Sequence, residues 1–215
     1  MRKLNVFVSA TLFGTGELLK ERGWNIVEDI KKANLVLFTG GADISPDLYN
    51  EPTHPFTFFH PRRDKIEVED YSVALAMGLP MAGICRGGQL LNAMAGGKMH
   101  QHVTGHARGG THKVKDLWSG EEWDTTSAHH QMIIPTDDAL IIAVTDPSIC
   151  KVKERMSSTG EIIKDDPKAT PDYEVVYYPK IKGLCYQGHP EYSGSKEGTE
   201  KFFQYVADYL FDGQL

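Results

Sequence analysis

Short apolar runs alternate with helix-like segments along the first half of the chain. The runs Leu4–Ala10, Leu35–Phe38 and Leu79–Ile84 have the length and the apolar character of buried strands. Between the first two, Glu17–Arg22 is predicted as a short helix that ends at Gly23, a residue that tolerates the left-handed conformation at a helix C-terminus. This alternation predicts strands that are connected through helices.

Three longer helices are predicted over Arg62–Met77, Gln89–Ala95 and Ser195–Phe211; the last has apolar residues that recur near the helical period. Two late strands, Val175–Tyr178 and Leu184–Tyr186, flank a turn that contains proline and glycine. Strand–helix alternation of this kind is typical of an α/β domain with a largely parallel sheet. The pattern shows no internal repeat.

The length of 215 residues fits one compact domain, and we expect residues 1–215 to form it. An apolar fraction of 40% is sufficient for a buried core. The segment Ser157–Pro171, rich in Ser, Thr, Asp, Lys and Pro, is predicted as a loop or insertion. The net charge of -6 argues against unaided binding to nucleic acid, whose phosphates require a basic surface.

Hydropathy and cysteine usage indicate a cytoplasmic protein. No apolar run approaches the roughly 20 residues that a membrane span needs, so we expect no membrane partner. Cys85, Cys150 and Cys185 are odd in number and have no paired spacing, which favours free thiols in a reducing compartment. Cys150 and Cys185 are predicted to be structural.

The strongest local signal is the segment Gly83–Gln89, in which an apolar strand enters a Gly-x-Cys-x-Gly turn and then a helix. This is the pattern of a nucleophile elbow with Cys85 in place of serine. The helix N-terminus beside the sulfur favours the thiolate, which is the attacking form. The alternative is a small buried cysteine beside a glycine turn.

A thiol nucleophile needs a base, and the segment Gln187–Glu191 offers one. His189 follows an apolar strand, and Glu191 can reach its imidazole across Pro190. A carboxylate in this position fixes the tautomer of the base and stabilises the imidazolium. Taken alone, His-Pro-Glu is a common loop tripeptide; paired with Cys85, it predicts a catalytic site.

A pair of glycines at the end of a strand, Gly40-Gly41, can bring a backbone N–H close to a ligand. Together with the N–H of Arg86, it could form an oxyanion hole that stabilises a tetrahedral intermediate. A plain tight turn is the alternative.

These motifs, in this order, resemble the class-I glutamine amidotransferase-like family, and most closely its stand-alone γ-glutamyl hydrolases. The resemblance rests on five stretches: Gly40–Tyr49, Arg63-Asp64, Gly83–Gln89, Gly96-Gly97 and Ser127–Gln131. Cys85 is followed by Arg86, and Cys-Arg-Gly is typical of the hydrolases, whereas synthetase-linked members usually carry an aromatic or aliphatic residue there.

The resemblance implies a flavodoxin-like three-layer α/β sandwich with a mostly parallel central sheet. It implies Cys85 as nucleophile, His189 as base and Glu191 as its partner, with oxyanion stabilisation from the backbone of Gly41 and Arg86. Substrate contacts are implied for a further set of residues: Gly40, Gln89, His129, His130 and Gln131.

The implied reaction is hydrolysis of the γ-amide of glutamine or of a γ-glutamyl amine through a glutamyl thioester, without a cofactor. Gly188 departs from the family, because these hydrolases generally carry an aromatic residue there, and glycine would widen the edge of the pocket.

Three other interpretations stay open. The chain could be a glutaminase subunit that supplies ammonia to a separate synthetase in trans, or an inactive binding protein on the same fold. As to the oligomeric state, a homodimer is also compatible with the sequence.

The third interpretation is a metal site, since His100, His102, His106 and His112 are close in sequence. Because no cysteine or carboxylate lies at ligand spacing from them, we predict no metal site.

Overall fold

A nine-stranded mixed sheet organises the computed structural model, which describes residues 3–106 and 110–215. Numbered in chain order but taken in spatial order across the sheet, its strands are Asn25–Val27 (β2), Asn5–Val8 (β1), Leu35–Phe38 (β3), Met81–Ile84 (β4), Gly183–Tyr186 (β14), Asp172–Tyr178 (β13), Leu140–Thr145 (β10), Gly110–Asp116 (β7) and Glu122–Ser127 (β8). The first five strands in this order pair in parallel. The other four extend the sheet with antiparallel pairings.

Within residues 3–106 and 110–215, four α-helices pack on the two faces of the sheet. They are Thr15–Glu21 (α1), Pro61–Ala76 (α2), Arg86–Met94 (α3) and Lys196–Leu210 (α4). The remaining strands of the described residues form two small sheets. In one, Lys98–His100 (β5) pairs with Met132–Ile134 (β9). In the other, Val152–Met156 (β11) lies between His102–Thr104 (β6) and Ile162–Asp165 (β12).

Strand β3 shows why the sheet is covered on both faces. All four of its residues are buried. Leu35 and Leu37 belong to the apolar cluster that includes α1 and α4, whereas Val36 and Phe38 belong to the cluster that includes α2 and α3. Successive side chains of a strand point to opposite faces, so a continuous apolar run is what a strand between two helical layers requires. The α/β fold class is thus confirmed, with the parallel strands forming one side of the mixed sheet.

The predicted helices and late strands are present, with shifts of one to three residues at their ends. Gly23 has a φ of 79°, as expected for the residue that ends α1. The prediction for Ser157–Pro171 is wrong in part, because β12 lies within it and pairs antiparallel with β11. Strand β12 alternates exposed and half-buried residues, so its polar composition reflects a solvated hairpin rather than a loop.

Over residues 3–106 and 110–215, no helix combines the length and the apolar character that crossing a bilayer requires.

Candidate active site

Cys85 lies on a strained turn between β4 and α3. Its φ of 48° and ψ of -107° are unusual for a residue with a side chain. The turn is held at both ends, since the Cys85 N–H donates to the Tyr186 carbonyl at 2.7 Å and the Cys85 carbonyl accepts from the Gln89 N–H at 3.0 Å. Backbone strain at this point is the geometry of a nucleophile elbow.

The flanking glycines are required by close backbone packing. A Cβ atom at Gly83 would lie 2.3 Å from the carbonyl group of Gly87, and one at Gly87 would lie 2.1 Å from the carbonyl oxygen of Phe38. The turn therefore fits only if β4, the start of α3 and the end of β3 approach without side chains between them.

His189 and Glu191 lie together at the end of β14. The Nδ1 atom of His189 is 2.7 Å from Oε1 of Glu191, and both side chains are almost fully buried. The His189 ring also stacks on Tyr192, with centroids 4.4 Å apart and planes at 4°. The carboxylate thus orients the ring, and the tyrosine covers one of its faces.

The charge state of His189 depends on Cys85. Burial alone would lower the pKa of the imidazole, but the neighbouring Cys85 sulfur and the Glu191 carboxylate outweigh it and raise the pKa to about 10. The structure thus brings the three predicted catalytic side chains together in one place, although Cys85 and His189 are far apart in sequence.

Two further side chains hold this arrangement, and the sequence patterns did not single them out. Thr126 clamps His189 through its hydroxyl, which accepts from the His189 N–H at 3.0 Å and donates to the His189 carbonyl at 2.8 Å. Gln187 donates from Nε2 to the Cys85 sulfur at 3.6 Å. Thr126 lies in the polar strand β8, and only its position in the folded chain reveals this contact.

The segment Gly40-Gly41 is held in place by hydrogen bonds from Arg63. Its guanidinium donates to the carbonyl oxygens of Gly40 at 2.9 Å and Thr39 at 3.0 Å. A Cβ atom at Gly40 would lie 2.8 Å from Cε1 of His189, and Gly41 has a φ of 139°. Gly41 lines the site, whereas Gly40 is outside the pocket lining and supports the His189 ring.

The side chain of Arg86 points away from the site into a buried ion cluster. It is paired with Asp64 and with Glu67, and Glu67 is also paired with Arg63 at 2.8 Å. The predicted oxyanion-hole role of Arg86 would therefore fall to its backbone N–H and not to its side chain.

A pocket of about 390 Å³ opens beside Cys85 and His189. Gln89, His129, His130 and Gln131 are among its lining residues, as the sequence predicted. The lining also includes residues that were not predicted: Phe13, Ala42, Asp43, Phe58, Ala128 and Tyr192.

The predicted substrate-contacting residues in the lining also have partners within the protein. His130 is 3.0 Å from Oδ1 of Asp43 and half exposed. The Gln131 amide donates to Thr57 and to the Gln101 carbonyl, so it also braces the pocket wall.

The expectation that Gly188 widens the pocket edge is wrong. A Cβ atom at Gly188 would lie 2.3 Å from Oγ1 of Thr125 and 3.1 Å from Cε1 of Tyr186, and Gly188 is not part of the pocket lining. Glycine is needed at this position because β8 and the end of β14 approach closely.

Cys150 and Cys185 are buried free thiols away from the pocket lining, as predicted for structural cysteines. Burial, with Asp172 nearby, raises the pKa of Cys150 to about 12, and burial raises the pKa of Cys185 further. Neither is suited to act as a thiolate nucleophile.

The four histidines that cluster in sequence do not converge. His100 pairs with Asp165 at 3.1 Å, and His102 stacks near His54. Only His106 and His112 lie against each other.

Comparison with known proteins places this chain in a family. Residues 20–155, more than half of the chain, match the family model described as Peptidase C26. A provisionally named glutamine amidotransferase of Mycobacterium tuberculosis is 35% identical over 132 residues, which cover 52% of this chain and 42% of that protein. A carbamoyl phosphate synthase small chain of Methanococcus maripaludis is 28% identical over 169 residues, covering 75% of this chain and 41% of that protein. The chain spans less than half the length of these curated relatives.

Solved structures agree on the fold. A glutamine amidotransferase from Thermotoga maritima superposes with a TM-score of 0.60 at 13% identity, covering 100% of this chain and 87% of the other. At that identity the likeness concerns the fold alone. With the family match, it shows that the chain belongs to the peptidase C26 family of class-I glutamine amidotransferase-like proteins.

Proposed function

We propose that this protein is a cysteine-dependent hydrolase that cleaves the γ-amide of glutamine or of a γ-glutamyl amine. The observation that carries the proposal is the arrangement of a strained Cys85, the imidazole of His189 and the carboxylate of Glu191 beside one pocket. Nucleophile, base and orienting acid are the three roles that acyl transfer by a thiol requires.

The reaction would begin with the Cys85 thiolate and the His189 imidazolium. The sulfur attacks the γ-carbonyl carbon, and the N–H groups of Gly41 and Arg86 stabilise the oxygen that becomes negative. His189 then donates its proton to the leaving nitrogen, so that ammonia or an amine departs and a glutamyl thioester remains. Water, deprotonated by His189, attacks the thioester carbonyl and releases glutamate, which restores the thiolate.

Glu191 supports both halves of this cycle. Its carboxylate accepts from Nδ1 of His189, which leaves Nε2 to exchange the proton with sulfur, leaving group and water. Tyr192 on the ring face and Thr126 on the backbone prevent the imidazole from rotating away.

We infer that the pocket walls bind the glutamyl part of the substrate. Gln89 and His130 present polar groups to the cavity, whereas Phe13 and Phe58 provide apolar surface near its opening. The aromatic side chains, which are 40% and 69% exposed, offer a surface for an organic leaving group that ammonia would not use.

A second candidate is a glutaminase subunit that delivers ammonia to a separate synthetase. It is favoured by the likeness to a carbamoyl phosphate synthase small chain, which extends over 75% of this chain. The inactive binding protein is the weaker candidate, because all three side chains needed for acyl transfer are present. The buried thiols of Cys150 and Cys185 agree with a cytoplasmic setting, which we also propose.

A panel of glutamine and γ-glutamyl amines, assayed for release of glutamate, tests the proposal with the wild type and Cys85→Ala. We expect turnover by the wild type alone. Rapid hydrolysis of a γ-glutamyl amine without any partner supports the stand-alone enzyme, whereas glutamine turnover that appears only with an added synthetase supports the subunit. Equal turnover by both proteins would refute the thiol mechanism.

A further inference from the structure

Three segments that are distant in sequence meet in the interior behind the pocket wall. His106 follows β6, His129 lies in the loop after β8, and Glu174 lies in β13. One ligand atom of each lies within 4.8 Å of the ligand atoms of the other two, and all three residues are buried.

Each of these side chains is oriented by a second hydrogen bond on its far side. Nδ1 of His129 is 2.9 Å from the Gln131 carbonyl, and Nε2 of His106 is 3.2 Å from Asp172. Oε1 of Glu174 is 2.9 Å from Nε2 of His112. Outer partners of this kind, a carbonyl or a carboxylate on the second ring nitrogen, are those that position histidine ligands of metals.

Two of the remaining polar atoms in the cluster have lone pairs to offer. Because a carbonyl can only accept, His129 must carry its proton on Nδ1, so its Nε2 is unprotonated. Within residues 3–106 and 110–215, Nε2 of His129 and Oε2 of Glu174 have no hydrogen-bond partner, although their residues are only 6% and 2% exposed. Two acceptors buried without a donor are costly, and a cation between them would satisfy both.

The protonation states agree with this geometry. Burial, reinforced by nearby His106, lowers the pKa of His129 to about 3, so its imidazole is neutral near pH 7. Burial would raise the pKa of Glu174, but the charge and hydrogen bond of His112 lower it overall, so the group is a carboxylate. Neutral imidazole and ionised carboxylate are the forms that bind metal.

We propose that His106, His129 and Glu174 bind a divalent metal ion of the zinc class. Two imidazoles and one carboxylate are a known zinc ligand set, and the fourth position would be left to water. His106 would bind through Nδ1, the nitrogen that is 4.0 Å from Oε1 of Glu174 and that also contacts the rotatable hydroxyl of Ser127. Tetrahedral ligand atoms lie about 3.3 Å apart, so the cluster would contract by about 1 Å around the ion.

A second buried set, His106 with Cys150 and Asp172, is less suited to a metal. Asp172 is already paired with Lys153 at 3.0 Å and accepts hydrogen bonds from Ser148 and the Ile149 N–H. Its role is therefore to orient His106 rather than to bind the ion.

The metal would shape the pocket. His129 lines the cavity beside Cys85, and its loop also contributes His130 and Gln131. An ion that joins this loop to β13 and to the end of β6 would fix the pocket wall, and the pocket gives it a path of entry. The proposal does not depend on the reaction catalysed at Cys85.

Zinc content measures the proposal directly, with every protein carrying Cys85→Ser because the active-site thiol could itself bind zinc. The full chain is stripped with chelator, loaded with zinc sulfate, desalted and assayed for metal by mass spectrometry. We expect about one zinc per chain in the parent, and at least a tenfold loss in Glu174→Gln and in His129→Gln. The exposed residues Glu69 and His60 supply matched controls, and Glu69→Gln and His60→Gln should retain full binding.

The parent protein alone decides the matter if the variants fold poorly. Its melting temperature should rise with zinc concentration, since an ion that binds only the folded state stabilises it. Less than a tenth of an equivalent of zinc in the parent would overturn the proposal. Undiminished binding in Glu174→Gln would overturn it too, and so would loss of binding on Cys150→Ala, which would assign the ion to the other set.

Discussion

The buried ion cluster beneath the nucleophile turn offers a stability test of the site's support. Arg86 is 1% exposed and contacts Asp64 and Glu67, which are themselves buried. Arg86→Met keeps the length and much of the volume of the side chain and leaves the backbone N–H in place. It removes one of two cations, so the two carboxylates would share Arg63 alone.

The magnitude follows from the charge that is left behind. Removal of one partner from a buried ion pair costs about 3–5 kcal/mol, because the other charge stays desolvated. Burial already raises the pKa of Asp64 in spite of the Arg86 guanidinium, so this carboxyl depends on its partner. With a urea slope of about 2 kcal/mol per molar, the unfolding midpoint should fall by roughly 1.5–2.5 M.

Urea unfolding followed by fluorescence checks this value, since Trp24 and Trp123 are buried and will report exposure. The matched control is Arg62→Met on the exposed face of α2, for which we expect a change within about 0.5 kcal/mol. If Arg86→Met loses less than about 1 kcal/mol, the ion cluster does not provide electrostatic support to the nucleophile turn.

Three further predictions concern packing, catalysis and pH. Gly87→Ala places a Cβ atom 2.1 Å from the Phe38 carbonyl oxygen, so it should cost at least about 1–3 kcal/mol in a thermal melt, whereas the helical control Gly16→Ala should not destabilise. Glu191→Gln should lower kcat by about 10²–10⁴ with little change in KM, because the amide no longer stabilises the His189 imidazolium; an unchanged kcat would remove Glu191 from the mechanism. Burial lowers the pKa of His100 in the folded protein to about 4. In the unfolded chain the pKa of this histidine is near 6.5, so the unfolded chain binds the proton first as pH falls. The protein therefore loses stability as pH falls from about 7 to 4. The His100 contribution to the fall in the free energy of unfolding is about 3 kcal/mol, which urea unfolding at each pH measures. His100→Gln should abolish this contribution, and an equally steep loss of stability in the variant would contradict the assignment.

The sequence predicted β3, β4 and β14 well because these strands are buried on both faces. Leu35–Phe38 is apolar throughout, and an apolar run of this kind can be recognised in the sequence before its neighbouring strands are known. The antiparallel half was harder to recognise: β7, Gly110–Asp116, alternates exposed lysines with less exposed residues, and its stability comes from pairing with β8. Short polar strands form because they pair with strands that are distant in sequence.

The same distinction applies to the site. Cys85, His189 and Glu191 lie in local motifs whose turns and spacing carry chemical meaning, so they could be identified before the fold was known. The clamp by Thr126 and the group of His106, His129 and Glu174 depend on contacts between separate segments. Spacing along the chain predicted no metal site. The carboxylate of the proposed site, that of Glu174 in β13, comes close to the histidines only in the folded chain.

The proposed mechanism depends on a covalent glutamyl intermediate at Cys85, and intact-mass spectrometry after acid quenching measures it most directly. During turnover of the preferred γ-glutamyl substrate, the Cys85 thiol of the wild type should gain about 129 Da, the mass of a glutamyl group bound as a thioester. Peptide mapping should place the added mass on Cys85, and Cys85→Ala should show none. Turnover with an unmodified Cys85 at every quench time, or with the added mass on Cys150 or Cys185, would contradict the mechanism.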